Sequence, residues 1–225
     1  ANPMPGEISL AHTGVLFLDE FPEFQKQAIE VLRQPMEDHV ISLVRGSRSV
    51  VYPAGFLLLA AMNPCNCGYY PDMHKCRCTP SARSRYYQKI SRPILDRIDL
   101  CVEAVPLSYE ELVATKTNES SETIRARVVA CQQIQRRRYM GESFIHNSRI
   151  PASKMKTYCR LGTQEELFME KVFEREQLTG RSFHKILRVA RTIADLEEQE
   201  DIQLRHLKEA VCYRSISEHY WGGVE

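Results

Sequence analysis

The sequence predicts an α/β first half, with a parallel sheet and a β-hairpin, followed by an all-α second half. Three observations carry that prediction. Two uninterrupted apolar runs, Val15 to Leu18 and 56–61, are bounded by turn residues and read as fully buried parallel strands. Between them, Val40 to Val44 and Ser49 to Tyr52 flank Arg45-Gly46-Ser47, the pattern of a hairpin. Beyond Pro106 the pattern turns to capped helical periodicity.

Taken in order, the first strand is followed by Phe24, Ala28, Leu32 and Met36 at helical spacing, then by the hairpin and the second strand. The stretch 98–105 is the last strand-like segment. Ser108 with Glu111, and Thr163 with Glu166, have the spacing of capping boxes. A helix over 121–139 is expected to bury Ile124, Val128, Cys131 and Ile134. One after Gly180 is expected to bury Phe183, Leu187, Ala190, Ile193 and Ala194, and a last one carries Leu207, Ala210 and Val211. Two compact units are therefore expected, 1–106 and 107–225, the first holding a cysteine-rich loop at 65–78.

Thirty basic residues against twenty-nine acidic ones leave a net charge of +1, so any basic surface must be local. No run approaches the ~18 apolar residues that a membrane-spanning helix needs, and the N-terminus has no signal pattern; a cytoplasmic protein without a membrane partner is the expectation. Four cysteines, Cys101, Cys131, Cys159 and Cys212, are scattered among apolar neighbours and read as reduced thiols.

The polar residues that end the strands carry the chemistry. Gly14-Val-Leu-Phe-Leu-Asp19-Glu20 is an apolar strand ending in two carboxylates, and ligands of parallel sheets bind beyond the carboxyl ends of strands. There Asp19 would hold the water shell of a nucleotide-bound magnesium ion and Glu20 would polarise an attacking water. The alternative is an acidic pair favouring the dipole of the next helix. Asn63-Pro64 ends the second strand, where Asn63 would orient water or sense a terminal phosphate; otherwise it begins a turn. Arg97, between aliphatic residues in Ile94-Leu-Asp-Arg-Ile-Asp99, is placed as a trans-acting arginine finger, or else pairs with Asp96 or Asp99. Arg181 and Arg188 in the helical half would reach phosphates, or else solvate a helix face, the role expected of Arg191.

Cys65, Cys67, Cys76 and Cys78 supply four thiolates from one loop, the number a closed structural zinc site needs, although one-residue spacing within each pair is tighter than usual. Two disulfides or unmetallated thiols are the other readings. His74 and Lys75 within the loop read as solvent-facing.

In their combination these segments resemble the magnesium chelatase-like ComM (YifB) family, in the helix-2-insert group of AAA+ ATPases. The resemblance rests on Pro5-Gly-Glu-Ile-Ser-Leu-Ala-His12, residues 14–21, Asn63-Pro-Cys-Asn-Cys-Gly-Tyr69, Cys76-Arg-Cys-Thr79, Leu95-Asp-Arg-Ile-Asp99 and Arg188-Val-Ala-Arg-Thr-Ile-Ala-Asp-Leu-Glu197, spread over nearly the whole chain. It implies an AAA+ core followed by a helical lid. Asp19 and Glu20 match the Walker B acids, Asn63 sensor 1, Arg97 the arginine finger, and Arg181 or Arg188 sensor 2. It also implies ATP and Mg2+ as cofactors, a hexameric ring, and translocation on DNA with branch migration. Relatives point the hairpin into the ring's pore, where Arg45 and Arg48 would grip a phosphodiester backbone; Arg136-Arg137-Arg138 is a second basic candidate, at a helix end that favours cations anyway.

One departure is large. Gly-x-x-x-x-Gly-Lys-Ser/Thr, the backbone nest and lysine that hold β- and γ-phosphates, does not occur in the sequence. The family places it upstream of Pro5, so the chain reads as the later part of a motor that hydrolyses ATP only in its full-length assembled form. Two other functions remain open at this level: a chelatase-type ATPase remodelling a protein partner, and a non-catalytic zinc-stabilised DNA-binding or assembly module.

Overall fold

A computed structural model describes residues 4–45, 48–113 and 118–221. The chain divides into two compact units, residues 1–98 with 219–225, and residues 99–218.

The first unit begins with α1 (Glu7–Leu10) and β1 (Val15–Leu18), then a single 3-10 turn at Phe21–Glu23. Next come α2 (Lys26–Val31), α3 (Arg33–Asp38), β2 (Val40–Arg45), β3 (Arg48–Pro53) and β4 (Leu57–Ala60), with α4 (Pro80–Tyr87) and α5 (Arg92–Leu95) after them. β1 and β4 pair in parallel with Val15 opposite Leu57 and Leu18 opposite Ala60. β2 and β3 form the antiparallel hairpin, from Val40 opposite Pro53 to Arg45 opposite Arg48. His12 fixes the start of the parallel pair: its Nδ1 accepts the Gly55 amide at 3.1 Å while Thr13 donates to the Gly55 carbonyl at 2.7 Å. Leu16 and Leu18 pack against a core of Phe21, Ile29, Leu32, Ile90, Ile94 and Leu95.

Two expectations for this unit are corrected. The strands are not buried on both faces, since Val15, Phe17, Leu57 and Leu59 are each more than half exposed. Alternation along a strand sends every second residue away from the core, and among the described residues only one face of this two-stranded sheet is covered. The helical stripe is also shifted. Phe24 lies before α2 rather than in it, so the inward face runs through Ile29, Leu32 and Pro35, with Ala28 exposed.

The second unit comprises α6 (Tyr109–Val113), α7 (Ser121–Arg138), α8 (Met155–Tyr158), α9 (Thr163–Arg175), α10 (Gly180–Leu196) and α11 (Leu204–Trp221), whose last turn belongs to the first unit. Residues 98–105 form no strand; the Cys101 amide donates to the Tyr213 carbonyl at 3.1 Å, while Val102 and Val105 are exposed. α6 starts directly after Ser108, and the Glu111 side chain lies outside the described residues. Thr163 is the first residue of α9 rather than its cap, which is Gly162. Side-chain caps sit instead at Thr79, Ser120 and Thr179, each accepting the amide three residues on at 3.2 Å.

α10 supplies the core of this unit through Ile186, Leu187, Ala190, Ile193 and Ala194, with Phe183 half-buried. On α7 only the C-terminal part is buried. Cys131 and Gln135 face inward, Ile134 is half-buried, and Ile124 and Val128 are exposed, contrary to expectation, because the helix touches the core only in its last turns.

Those last turns are held by ions. Asp195 is fully buried and accepts from Arg138 Nη1 at 2.7 Å, Asn147 Nδ2 at 2.8 Å and Arg191 Nε at 3.2 Å. A second Arg138 contact, through Nη2, makes that pair bidentate. Arg191, 3% exposed, does not solvate a helix face: it donates to the Gln199 and Glu200 carbonyls at 2.6 Å, closing the turn after α10. Arg138 likewise leaves the basic run to serve the core. Burial pushes the neighbouring Tyr139 hydroxyl up to about 12 against the opposing pull of Arg138, and keeps it a donor to Asn147. Replacing Asp195 by alanine would strand two buried guanidiniums. The expected loss is about 3–5 kcal/mol of stability in this unit, read by denaturant titration of helicity.

Candidate functional site

In a parallel pair both carboxyl ends emerge at one edge. The ladder continues one step past β4, with Ala61 donating to the Leu18 carbonyl and Phe21 to the Ala61 carbonyl, both at 2.9 Å. Asp19, Glu20 and Asn63 therefore all leave the sheet at the same end, and all three are exposed. Glu20 lies in the left-handed region at φ 50, with its amide donating to Asp19 Oδ1 at 2.8 Å. A non-glycine residue held there costs on the order of 1 kcal/mol, and such outliers concentrate at functional sites. Neither acid opens a long helix, because the chain passes from Glu20 directly into the short 3-10 turn.

Asn63 is braced by two residues that sequence reasoning missed. The buried Tyr86 hydroxyl interacts electrostatically with the Asn63 backbone, and the Tyr87 hydroxyl donates to the Pro64 carbonyl at 2.5 Å. Burial, with Glu23 next, pushes the Tyr86 hydroxyl up to about 12; burial, with Tyr70 next, does the same for Tyr87. Both thus stay protonated at neutral pH. The only sequence signal was two adjacent tyrosines in the helix after the cysteine loop.

Arg97 comes just after α5 and is fixed by groups that lie outside its own segment as well as within it. Nε donates to the Arg33 carbonyl at 3.1 Å, Nη1 to the Pro93 carbonyl at 2.8 Å, and Nη2 pairs with Glu37. The helical-unit arginines differ from one another. Arg181 lies in the exposed first turn of α10. Arg188, two turns further, is half-buried and grips the Ile150 carbonyl through Nη2 at 2.6 Å and Nε at 3.2 Å. Beside Arg188, Lys185 pairs with Asp99 at 2.7 Å, and burial draws its ammonium below the usual lysine range. The backbones of Arg45 and Arg48 form the last rung of the hairpin; their side chains lie outside the described residues.

The four clustered cysteines converge. Sγ of Cys65 lies 3.3 Å from that of Cys67 and 3.8 Å from that of Cys76, Cys67 and Cys76 are 3.7 Å apart, and all four sulfurs lie within 4.8 Å of one another. A tetrahedron with Zn–S bonds of about 2.3 Å has S···S edges of about 3.8 Å, so the set fits a four-thiolate ion. A disulfide requires about 2.05 Å, and all eight cysteines are free. Cys65 and Cys76 are buried, His74 and Lys75 exposed. Backbone hydrogen bonds, from Tyr69 first, and the Cys65 thiol bring Cys67 down to about 6, whereas Cys67 pushes Cys78 up to about 11.

Comparison with known proteins matches the chain to two family models in succession. Residues 1–112 match the family model described as magnesium chelatase, subunit ChlI, and residues 118–214 that of its C-terminal part. The chain is 42% identical over 218 residues to the uncharacterized protein YifB of Salmonella typhimurium, covering 96% of the chain and 42% of that protein. It is 40% identical over 215 residues to the competence protein ComM of Haemophilus influenzae, 95% of the chain and 41% of ComM. A more distant match, 24% over 214 residues, is the maternal DNA replication licensing factor mcm6 of Xenopus tropicalis, 91% of the chain and 25% of that protein. The chain thus spans about 42% of the length of the first two relatives. Among the described residues no helix is long and apolar enough to cross a membrane.

In metal-free protein the reactivity of Cys67 should track its raised acidity. Between pH about 6 and its ordinary value of 9.0 it is thiolate where a normal cysteine is still thiol. Alkylation mapped by mass spectrometry should therefore set in at lower pH at Cys67 than at Cys78.

Proposed function

The chain belongs to the magnesium chelatase ChlI family, with YifB and ComM among its relatives, and on that premise we propose that it is part of an ATP-driven, ring-forming motor acting on DNA. The observation that carries the reading is the shared strand edge that holds Asp19, Glu20 and Asn63. Magnesium bound with ATP supplies charge neutralisation of the phosphates. With that complex bound, Asp19 would hold the metal's water shell, Glu20 would accept the proton of the attacking water, and Asn63 would orient that water. The strand ends in a left-handed turn at Glu20, and the Asp19 contact fixes that turn.

In this reading Arg97 serves the nucleotide of a neighbouring subunit. Its hold on two carbonyls pre-orders the side chain, and Nη2 exchanges Glu37 for phosphate when the ring closes. Arg181 is the more accessible lid arginine and Arg188 the more rigid one; either supplies the sensor 2 charge. Arg45 and Arg48 at the hairpin tip grip the DNA backbone without reading sequence. The four-cysteine loop holds zinc in a closed, structural shell. A hexameric ring in the cytoplasm, working in DNA uptake and recombination, is the setting that these proposals share.

The family name favours a second reading, in which a chelatase-type motor remodels a protein partner. ATPase activity of the full-length protein, with and without branched DNA, separates them: stimulation by DNA supports the DNA motor, and indifference to DNA favours the protein-remodelling one. The 225-residue chain itself, having no Gly-x-x-x-x-Gly-Lys-Ser/Thr, should turn over essentially no ATP.

In the full-length ring, Glu20→Gln should bind ATP but lower kcat by about 10²–10⁴-fold, the usual share of a general base. Arg97→Ala should cost about 10³–10⁵-fold, as loss of an arginine finger does. The Arg45→Ala/Arg48→Ala pair should spare basal ATPase yet weaken DNA binding and flatten its log-log salt dependence by about 2, two phosphate contacts being lost. Unchanged DNA affinity in that pair would remove the hairpin from the DNA path.

A further inference from the structure

Asn63 lies beyond the reach of the sheet. The ladder bonds of the parallel pair end at Ala61, and Pro64 has no amide to donate. Asn63 is held instead by the cysteine loop and the helix under it. Tyr87 grips the backbone at Pro64, and Gly68 packs so near that a Cβ there would stand 3.9 Å from Asn63 Oδ1. Gly68 has φ +78, which favours glycine at that position.

The far end of the loop is seated on the same helix. Arg83 donates to the Cys78 carbonyl at 2.9 Å, and its guanidinium lies 4.5 Å from the centre of the Tyr70 ring. Below, Tyr87 stacks edge-on with Tyr220 at 5.6 Å and against Trp221 at 5.5 Å, and Trp221 Nε1 donates to the Tyr87 carbonyl at 2.8 Å. Tyr87 therefore touches the sensor turn through its hydroxyl and the aromatic cluster through its ring and carbonyl. Within the loop, backbone closure rests on a few turn bonds, such as Gly68 to the Cys65 carbonyl at 3.0 Å and Cys76 to the Asp72 carbonyl at 2.8 Å. A metal ion held by the four converging sulfurs would close the loop more firmly than these few bonds do.

We propose that the metal-closed loop is the device that positions Asn63, with Tyr87 as the positioning residue that links the occupied cysteine site to the sensor turn and to Trp221. The proposal rests on the reading of the four cysteines as a zinc site. Zinc is then a requirement of nucleotide sensing in the motor, and Trp221, the one tryptophan in the chain, reports its presence.

The test uses the 225-residue chain, kept reduced with a thiol-free reductant. Zinc content, Trp221 emission and the Asn63 amide resonance are measured before and after chelation and after zinc is restored, in the native sequence and in Tyr87→Phe. One zinc per chain is expected in both. In the native sequence, chelation should shift Trp221 emission to longer wavelength and displace the Asn63 resonance, and added zinc should reverse both. In Tyr87→Phe the zinc should stay while the Asn63 resonance is already displaced. Zinc that binds and leaves without moving either signal overturns the positioning role and leaves the zinc reading standing; a chain that binds no zinc overturns both. In the full-length ring, Tyr87→Phe should lower kcat about ten-fold or more with KM for ATP unchanged, since a misplaced catalytic group loses rate rather than binding. An unaltered kcat there also overturns the proposal.

Discussion

The parallel pairing of β1 with β4 is the constraint on which the rest of the first unit depends. A register of Val15 opposite Leu57 brings Leu18 opposite Ala60, and thereby sets two acids and an amide at one edge. A shift by one residue would turn Leu16 and Leu18 out of the core and Val15 and Phe17 into it, carrying Asp19 to the other side of the strand. The register is fixed at the opposite end by His12, which takes the Gly55 amide before either strand begins. Chemistry at one end of the sheet is thus aligned by a histidine at the other, some four residues of strand away.

The second unit obeys a different constraint. Its core contains Asp195, and a buried carboxylate must be surrounded by donors. Arg138, Arg191 and Asn147 meet that demand, and in doing so they join α7, α10 and the turn after α10 into one rigid block. Arg188, on the same helix as Arg191, points its guanidinium to the Ile150 carbonyl. Arg181 and Arg188 are consequently carried on a helix whose orientation is set by ions rather than by apolar packing alone.

How much of this was legible in the sequence depended on the range of the signal. Both strands, the hairpin and the long helices came from local periodicity, and the cysteine cluster from spacing alone. The strand ends were readable because a polar residue closing an apolar run has few explanations. What failed was long-range. Nothing near Arg97 pointed to Glu37, sixty residues earlier, as a partner of its guanidinium. Arg191 read as a surface residue because its carbonyl partners and Asp195 are visible only once α10 has turned. Burial was the least legible property: the exposed outer face of β1 and β4, and the exposed start of α7, look in sequence like any other apolar positions. Tyr86 and Tyr87 were invisible for a related reason, since a tyrosine that braces a backbone has the same pattern as one that fills a core.

The outward row of Val15, Phe17, Leu57 and Leu59 bears on how the polypeptide behaves as a colloid. Two strands of four residues, with no further strand beside either among the described residues, offer apolar side chains and unpaired backbone groups on the same surface. That combination is the template on which unrelated strands add, and nature ordinarily blunts it with charge or proline. Here neither strand contains either, so the apolar row stands next to the strand ends that carry Asp19, Glu20 and Asn63 without such protection among the described residues.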